Sequence, residues 1–395
     1  MGGAFIAFLV TVFIIAVLTR DGYAFVLLYL FAGAFLVSRW WTNRSAAAVT
    51  FQRKFEHHAF PGENIPVLLT LKNNSVLPVT WLHVQESLPL EISNIKVLRQ
   101  VFTLPPHGSD QLDYLLTPHK RGYYAVGPIQ LSTGDLLGLV REKIIQGERD
   151  YLTVYPKVIP LTKISLPSHS PLGDLRYEQP IFEDPSRSIG KRDYMPGDSL
   201  RRIDWKSTAA VGRLQTKLYE PSIALETVLF LNLNADEYQL KFRYTSSELA
   251  IVVAASMANW IIGHKQSVGL VVNGTDPLAE ASVPQPLPTR KGRPHLMRLL
   301  ETLARVQLSQ TMPLQQILHQ NRVGLSWGTT TVAITGQADK ALFDEFFQLR
   351  RSGLNVVLIL CGEVTGIKDI KAQAEHFHIP FFHFRDEKDL DIWRK

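Results

Sequence analysis

The sequence predicts a multidomain protein: an N-terminal transmembrane helical hairpin, a β-sandwich of immunoglobulin-like type and a C-terminal α/β domain of Rossmann type. Three patterns predict it. Two charge-free apolar runs open the chain, short runs of period-two alternation follow, and buried apolar runs then alternate with amphipathic segments. The expected divisions are residues 1–44 for the hairpin, 45–158 for the sandwich, 159–222 for a linking segment and 223–395 for the α/β domain. A chain of 395 residues exceeds one ordinary core, and 46% hydrophobic content suffices for several. The net charge of +6 suits an anionic membrane surface as readily as nucleic acid. The apolar N-terminus favours the membrane, and no nucleic-acid partner is expected.

From Gly2 to Thr19 and again from Gly22 to Ser38 no residue is charged, and each run approaches the length that spans a bilayer core. Arg20-Asp21-Gly22 forms the tight turn of a hairpin. A signal peptide would carry basic residues ahead of its apolar stretch, and a soluble surface helix would need a polar face; neither is present. Arg39, Arg44, Arg53 and Lys54 follow the second run, whereas Asp21 cancels Arg20 in the turn. The positive-inside tendency therefore places the soluble body in the cytoplasm, beneath the inner (plasma) membrane. Trp40 and Trp41 fit an interfacial aromatic belt.

Between Ala48 and Pro156, runs such as "NIPVLLTLKNN" and "VTWLHVQESL" alternate apolar and polar residues between turn signals. Val67, Leu69 and Leu71 are expected to share one face. Gly122, Gly127, Gly134 and Gly138 recur at turn-like spacing, without the lysine-bearing loop of a phosphate site.

From Ile223 onward "ETVLFLNLN", "SVGLVVN", "TTTVAIT", "LNVVLIL" and "PFFHF" read as strands, separated by helices that include "LAIVVAASMANWIIG" behind a Thr245–Glu248 capping box. Ligands in such sheets sit beyond the carboxyl ends of the strands. At the first strand end stand Asn232, Asn234 and Asp236, where a divalent-metal loop of the von Willebrand A type would place Asp-x-Ser-x-Ser. Two uncharged carboxamides weaken a Mg²⁺ site, so no metal or other cofactor is expected. The alternative is a metal-dependent ligand-binding or hydrolytic domain that uses this degenerate loop. Cys361, the single cysteine, reads as a buried strand residue. His376, His378 and His383 read as solvated or edge positions, and Arg290–Arg298 as a solvated helix start.

The stretch "RDYMPGDSLRRIDWKS" packs seven charged residues beside one tyrosine and one tryptophan. Tyr194-Met195-Pro196-Gly197-Asp198 reads as a turn whose aspartate caps a short helix from Ser199. Asp198, Arg201 and Asp204 would then line one helical face, a guanidinium bridging two carboxylates, with Trp205 buried beside them. The stretch is expected to be a structural lock or a partner-docking surface, with a solvated linker as the plain alternative. Catalysis is not expected: the neighbouring arginines hold both carboxylates ionised, and no nucleophile or metal motif accompanies them.

Arg192, Tyr194, Pro196, Gly197, Asp198, Arg202, Ile203, Asp204 and Trp205 match the signature of the bacterial domain-of-unknown-function 58 family, and "RGYYAVGPIQLSTGDLLGL" with "VYP" resembles its other recurrent segment. The resemblance implies the same order of parts, with a von Willebrand A-like domain last. It further implies a non-catalytic adaptor or chaperone-like partner of a MoxR-type AAA+ ATPase, working beside other von Willebrand A proteins at the lipid bilayer in the assembly or remodelling of protein complexes. One departure is "STAAVGR", which puts alanine at position 210 on the path to the family's usual serine-alanine-arginine, so that an arginine contact is lost there; the degenerate metal loop is the other.

Overall fold

In the computed structural model the described residues are 2–20, 22–135, 143–162, 183–195, 202–221, 226–279 and 283–393. They form two compact units: Met1–Lys157 with Leu303–Arg305, and Val158–Thr302 with Val306–Lys395.

The first unit begins with two helices, α1 (Gly2–Thr19) and α2 (Gly22–Ala48), joined at Arg20 with φ 54°. Phe5 stacks on Phe35 at 5.6 Å, and Phe8 meets Phe31 edge-on at 5.6 Å, so aromatic contacts close the hairpin. Their outward apolar residues are exposed. The second helix does not stop with its apolar run at Ser38. It continues for ten residues, because Thr42, Ser45 and Ala46 are buried against the β-rich body and Trp41 Nε1 donates to the Pro78 carbonyl at 3.1 Å.

Among the described residues ten strands follow: β1 (Val49–Lys54), β2 (His58–Ala59), β3 (Ile65–Asn73), β4 (Val79–Ser87), β5 (Val97–Leu104), β6 (Ser109–Leu116), β7 (Gly122–Val126), β8 (Ile129–Thr133), β9 (Lys143–Gln146) and β10 (Asp150–Val154). They build sheets β1-β3-β6, β5-β4-β8-β9 and β2-β10-β7. The first two face each other over a core in which Val67, Leu69 and Leu71 share the inward side of β3, as period-two spacing requires. Gly138 lies outside the described residues.

The second unit starts with an antiparallel arm of β11 (Glu183–Asp193) and β12 (Gln215–Pro221), with helix α3 (Trp205–Val211) between them in the chain. Then come β13 (Glu226–Leu231), α4 (Arg243–Gly263), β14 (Ser267–Val272), β15 (Leu287–Arg290), α5 (Arg293–Arg305), α6 (Leu314–Asn321), β16 (Thr330–Thr335), α7 (Lys340–Arg351), β17 (Asn355–Cys361), α8 (Ile367–His376) and β18 (Phe381–Phe384). Strand order is β15-β14-β13-β16-β17-β18, parallel throughout except for the β15 edge. Chain direction along the sheet reverses beside β13, where such sheets open a crevice.

Helix α4 is long and apolar enough to cross a membrane, yet most of it is buried, and it serves as the core helix of this unit. It starts at Arg243, before the expected capping box. Ser246 N already donates to Phe242 O, and Thr245 Oγ1 is spent on the same carbonyl at 2.9 Å instead of capping the end. Cys361 is fully buried on β17, where burial pushes its thiol up.

Candidate functional site

The signature residues lie on the arm. Lys191, Arg192 and Asp193 of β11 pair with Lys217, Thr216 and Gln215 of β12, and Tyr194 N donates to Leu214 O at 2.9 Å. Ile203, buried, bridges to Thr216, and Asp204 N donates to Gln215 O at 2.8 Å. Asp204 is therefore extended, with φ −92° and ψ 93°, and its side chain caps α3 by accepting from Ser207 N at 3.1 Å. Its second oxygen meets Lys191 Nζ at 2.9 Å. The Lys191 contact and then the Ser207 amide hold the Asp204 carboxyl down at about 2.

This corrects the expected burial of Trp205 and the expected helix start at Ser199. Pro196, Gly197, Asp198 and Arg201 lie outside the described residues, so two members of the Asp198–Arg201–Asp204 triad do too. The described helix begins at Trp205, because Asp204 is its cap and Ile203 belongs to a strand pairing. Trp205 is 68% exposed instead of buried. The cap sets Trp205 at the first helical position, and Thr208 faces the strand and accepts from Gln215 N at 3.0 Å. Among the described residues Asp204 pairs with a lysine, and Arg202 and Ala210 are exposed.

A buried charge lock does exist, in the first unit. Arg53 of β1, with 2% of its side chain exposed, binds Glu86 of β4 through Nη2 and Asp150 of β10 through Nη1; Glu86 is fully buried. Tyr114 of β6 donates to the other Glu86 oxygen at 2.8 Å. Burial, then the Glu86 charge, raises the Tyr114 phenol. Burial alone would lower Arg53, and Glu86 with Asp150 more than reverses that. Arg53 is thus not a charge flanking the membrane. The available signal was the alternation itself, since Arg53 continues the inward register of Val49 and Phe51, as Glu86 continues that of Leu82 and Val84.

The third cluster occupies the carboxyl ends of the parallel strands. Asn232 is fully buried. Its Nδ2 donates to Glu237 and, at 2.7 Å, to Thr335 Oγ1; its Oδ1 accepts from Asn234 N at 3.0 Å and Asn273 Nδ2 at 2.7 Å. Tyr238 OH donates to the Asn232 carbonyl at 2.6 Å, and Leu314 N, opening α6, donates to Glu237 Oε2 at 3.3 Å. Burial raises the Glu237 carboxyl against these hydrogen bonds, helped by Asp339 and Asp236. Asn234 Oδ1 accepts from Asp236 N and Thr311 N, and Asp236 accepts from Gln310 Nε2 at 3.3 Å. Asn232, Asn234 and Asp236 do come together on one loop, but the Asn232 carboxamide has no donor or acceptor left for a cation. The donor set does not fit a divalent metal. Among the described residues no group of three or more His, Cys, Asp or Glu is arranged to hold one. Glu237, which seals this end, was passed over in the sequence because its neighbour Asp236 sits at the expected loop position.

Comparison with known proteins gives a family match for part of the chain. An uncharacterized protein, YeaD of Bacillus subtilis (strain 168), is 25% identical over 359 residues, covering 89% of this chain and 82% of that protein. Among solved structures, the CARDB domain of the PF1109 protein from Pyrococcus furiosus, in complex with di-metal ions, overlaps 27% of this chain and 86% of its own at 17% identity and TM-score 0.21. Proximal thread matrix protein 1 from the mussel byssus overlaps 43% of this chain and 46% of its own at 10% identity and TM-score 0.29. Overlaps this loose bear on neither fold nor function. Residues 190–323, from the arm through the strand ends around Asn232 to the close of α6, match the model of DUF58, a protein family of unknown function.

Proposed function

We propose that the protein is a membrane-anchored, non-catalytic adaptor or chaperone-like partner of a MoxR-type AAA+ ATPase, acting in the assembly or remodelling of protein complexes. The observation that carries this reading is the sealed strand end. Where an enzyme of this architecture would hold reactive groups, Asn232, Asn273, Thr335, Tyr238 and Glu237 spend their hydrogen bonds on one another and on the backbone. An α/β domain filled in this way keeps its outer surfaces for contacts with other proteins.

We read the second unit as von Willebrand A-like, on its strand order and the loop after β13, and the β-rich body as immunoglobulin-like. The anchor is the α1–α2 hairpin. Helix α2, at 27 residues about 40 Å long, exceeds a hydrocarbon core of roughly 30 Å, and none of its most apolar window is buried. With Arg53 removed from the flanking charges, the exposed Arg39, Arg44 and Lys54 still favour a cytoplasmic body under the inner membrane.

The test is a titration of the full chain, held in phosphatidylcholine nanodiscs, with a purified MoxR-type ATPase from the same source. Saturable binding is expected. No binding in the presence of either ATP or ADP would overturn the adaptor reading.

A further inference from the structure

Helix α3 buries none of its seven residues. A helix this short is unstable alone, where about 12–15 residues are needed even for good helix formers. Here it is fastened at both ends, by Asp204 at the start and by Gly212, with φ 73°, at the finish. The arm thus invests two caps in a helix that contributes no core.

What the fastening achieves is presentation. Trp205 stands outward, Val211 is 57% exposed at the other end of the helix, and Leu214 is exposed at the start of the returning strand. Among them stand Lys206 and Arg213, both exposed, the latter 3.9 Å from Asp193. Of the described carboxylates nearby, Asp204 is turned to Lys191, whereas Asp193 stays exposed, one oxygen on the Gln215 side chain and the other facing Arg213. Among the described exposed side chains of the arm, Lys191, Arg202, Lys206 and Arg213 outweigh Asp193, so its surface combines apolar groups with a net positive charge.

The geometry points to an occupant that is anionic at its surface and apolar just beneath: the arm docks, Trp205 first, on the anionic headgroup layer of the bilayer that holds α1 and α2. An indole settles at headgroup depth while lysine and arginine side chains reach phosphates from an apolar stem. A chain already anchored in that bilayer meets it at high effective concentration, so a few side chains suffice. This inference rests on the membrane-anchor part of the proposed function and not on the ATPase.

The experiment uses the full chain in nanodiscs of phosphatidylcholine alone or mixed with phosphatidylglycerol. Cys361 is fully buried, so Ala209→Cys, exposed on α3, supplies the accessible thiol for a fluorophore. Quenching by headgroup spin-labelled lipid reads contact. Strong quenching is expected only in the phosphatidylglycerol discs. It should fall with added salt and with Trp205→Ala, and the docking equilibrium should drop about tenfold or more in K206E/R213E, whose exposed positions leave folding intact. Equal quenching in both discs, or quenching indifferent to K206E/R213E, would overturn the proposal. So would a probe untouched by lipid while Trp205→Ala releases bound ATPase, which would make the occupant an acidic protein. Release of the wild-type chain from membranes by alkaline carbonate would instead strike the anchor itself, and loss of ATPase binding alone leaves lipid docking standing.

Discussion

Tyr114 donates its hydroxyl hydrogen to Glu86 at 2.8 Å while the opposite oxygen of the same carboxylate holds Arg53. Three strands from two facing sheets meet at that one buried charge pair. A buried pair stabilises little on balance, but half of one is costly. Glu86→Ala should lower unfolding stability by about 3–5 kcal/mol, since it leaves the buried Arg53 with Asp150 alone and takes the acceptor from Tyr114. Tyr114→Phe should cost less, about 1.5–3 kcal/mol, the scale of one hydrogen bond to a charged group that keeps its main partner. Denaturant titration of the detergent-solubilised protein, followed by β-sheet circular dichroism, checks the order of the two.

Asp204 behaves differently because it is near solvent. Its folded carboxyl lies at about 2 against an ordinary 3.8, so the stability it lends is complete above pH 3.8 and is lost as pH falls toward 2. Hydrogen exchange at the Ser207 amide should speed up over that window in the wild type. In Asp204→Asn, which can still cap α3 but cannot pair with Lys191, the pH dependence should vanish while most of the protection remains.

Glu237 carries the opposite sign. Its folded carboxyl is raised above 4.5, so the native state holds its proton more tightly than the unfolded chain. This site favours folding most at low pH, and that contribution declines as pH rises through 4.5 until the folded group has ionised. Glu237→Gln can still accept from Leu314 N without a buried charge. It should be at least as stable as wild type at pH 7, and the difference between the two should narrow on acidification. Urea midpoints measured across pH decide it.

Gly336 lies against the same network. A Cβ there would stand 2.2 Å from Tyr238 Cδ1 and 2.8 Å from the Glu237 carbonyl. Gly336→Ala should push Tyr238 off the Asn232 carbonyl and cost about 1–3 kcal/mol, seen as a lower Tm and a changed near-ultraviolet tyrosine signal.

Because Asn232 has no lone pair to offer, titration of the full chain with Mg²⁺ or Mn²⁺ should give no saturable heat at millimolar metal. Saturable heat abolished by Asp236→Ala would mean that the loop opens to take a cation.

How much was legible can be followed through single residues. Val67, Leu69 and Leu71 could be assigned to one face because a pleated strand sends alternate side chains to the same side whatever surrounds it. The strands ending at Leu231, Val272, Thr335 and Cys361 were legible as continuous apolar runs, since a parallel sheet covered on both faces admits little else. Arg53 was misread as a membrane flank, and Trp205 as buried. In each case charge and hydrophobicity were taken at face value where position in a strand register, or behind a helix cap, decided the outcome.

By itself, the sequence determined the local regularities: apolar helices at the start, alternation in the middle, buried strands at the end, and the DUF58 signature around Asp204. These depend on spacing along the chain, which folding does not change. Only the tertiary structure decided which charges are buried, that Glu237 and Asn273 close the strand ends around Asn232, and that α3 faces outward. Pairs such as Arg53 with Glu86, or Asn232 with Asn273, bring together residues far apart in sequence for the same few hydrogen-bonding positions, and no short window along the chain contains both.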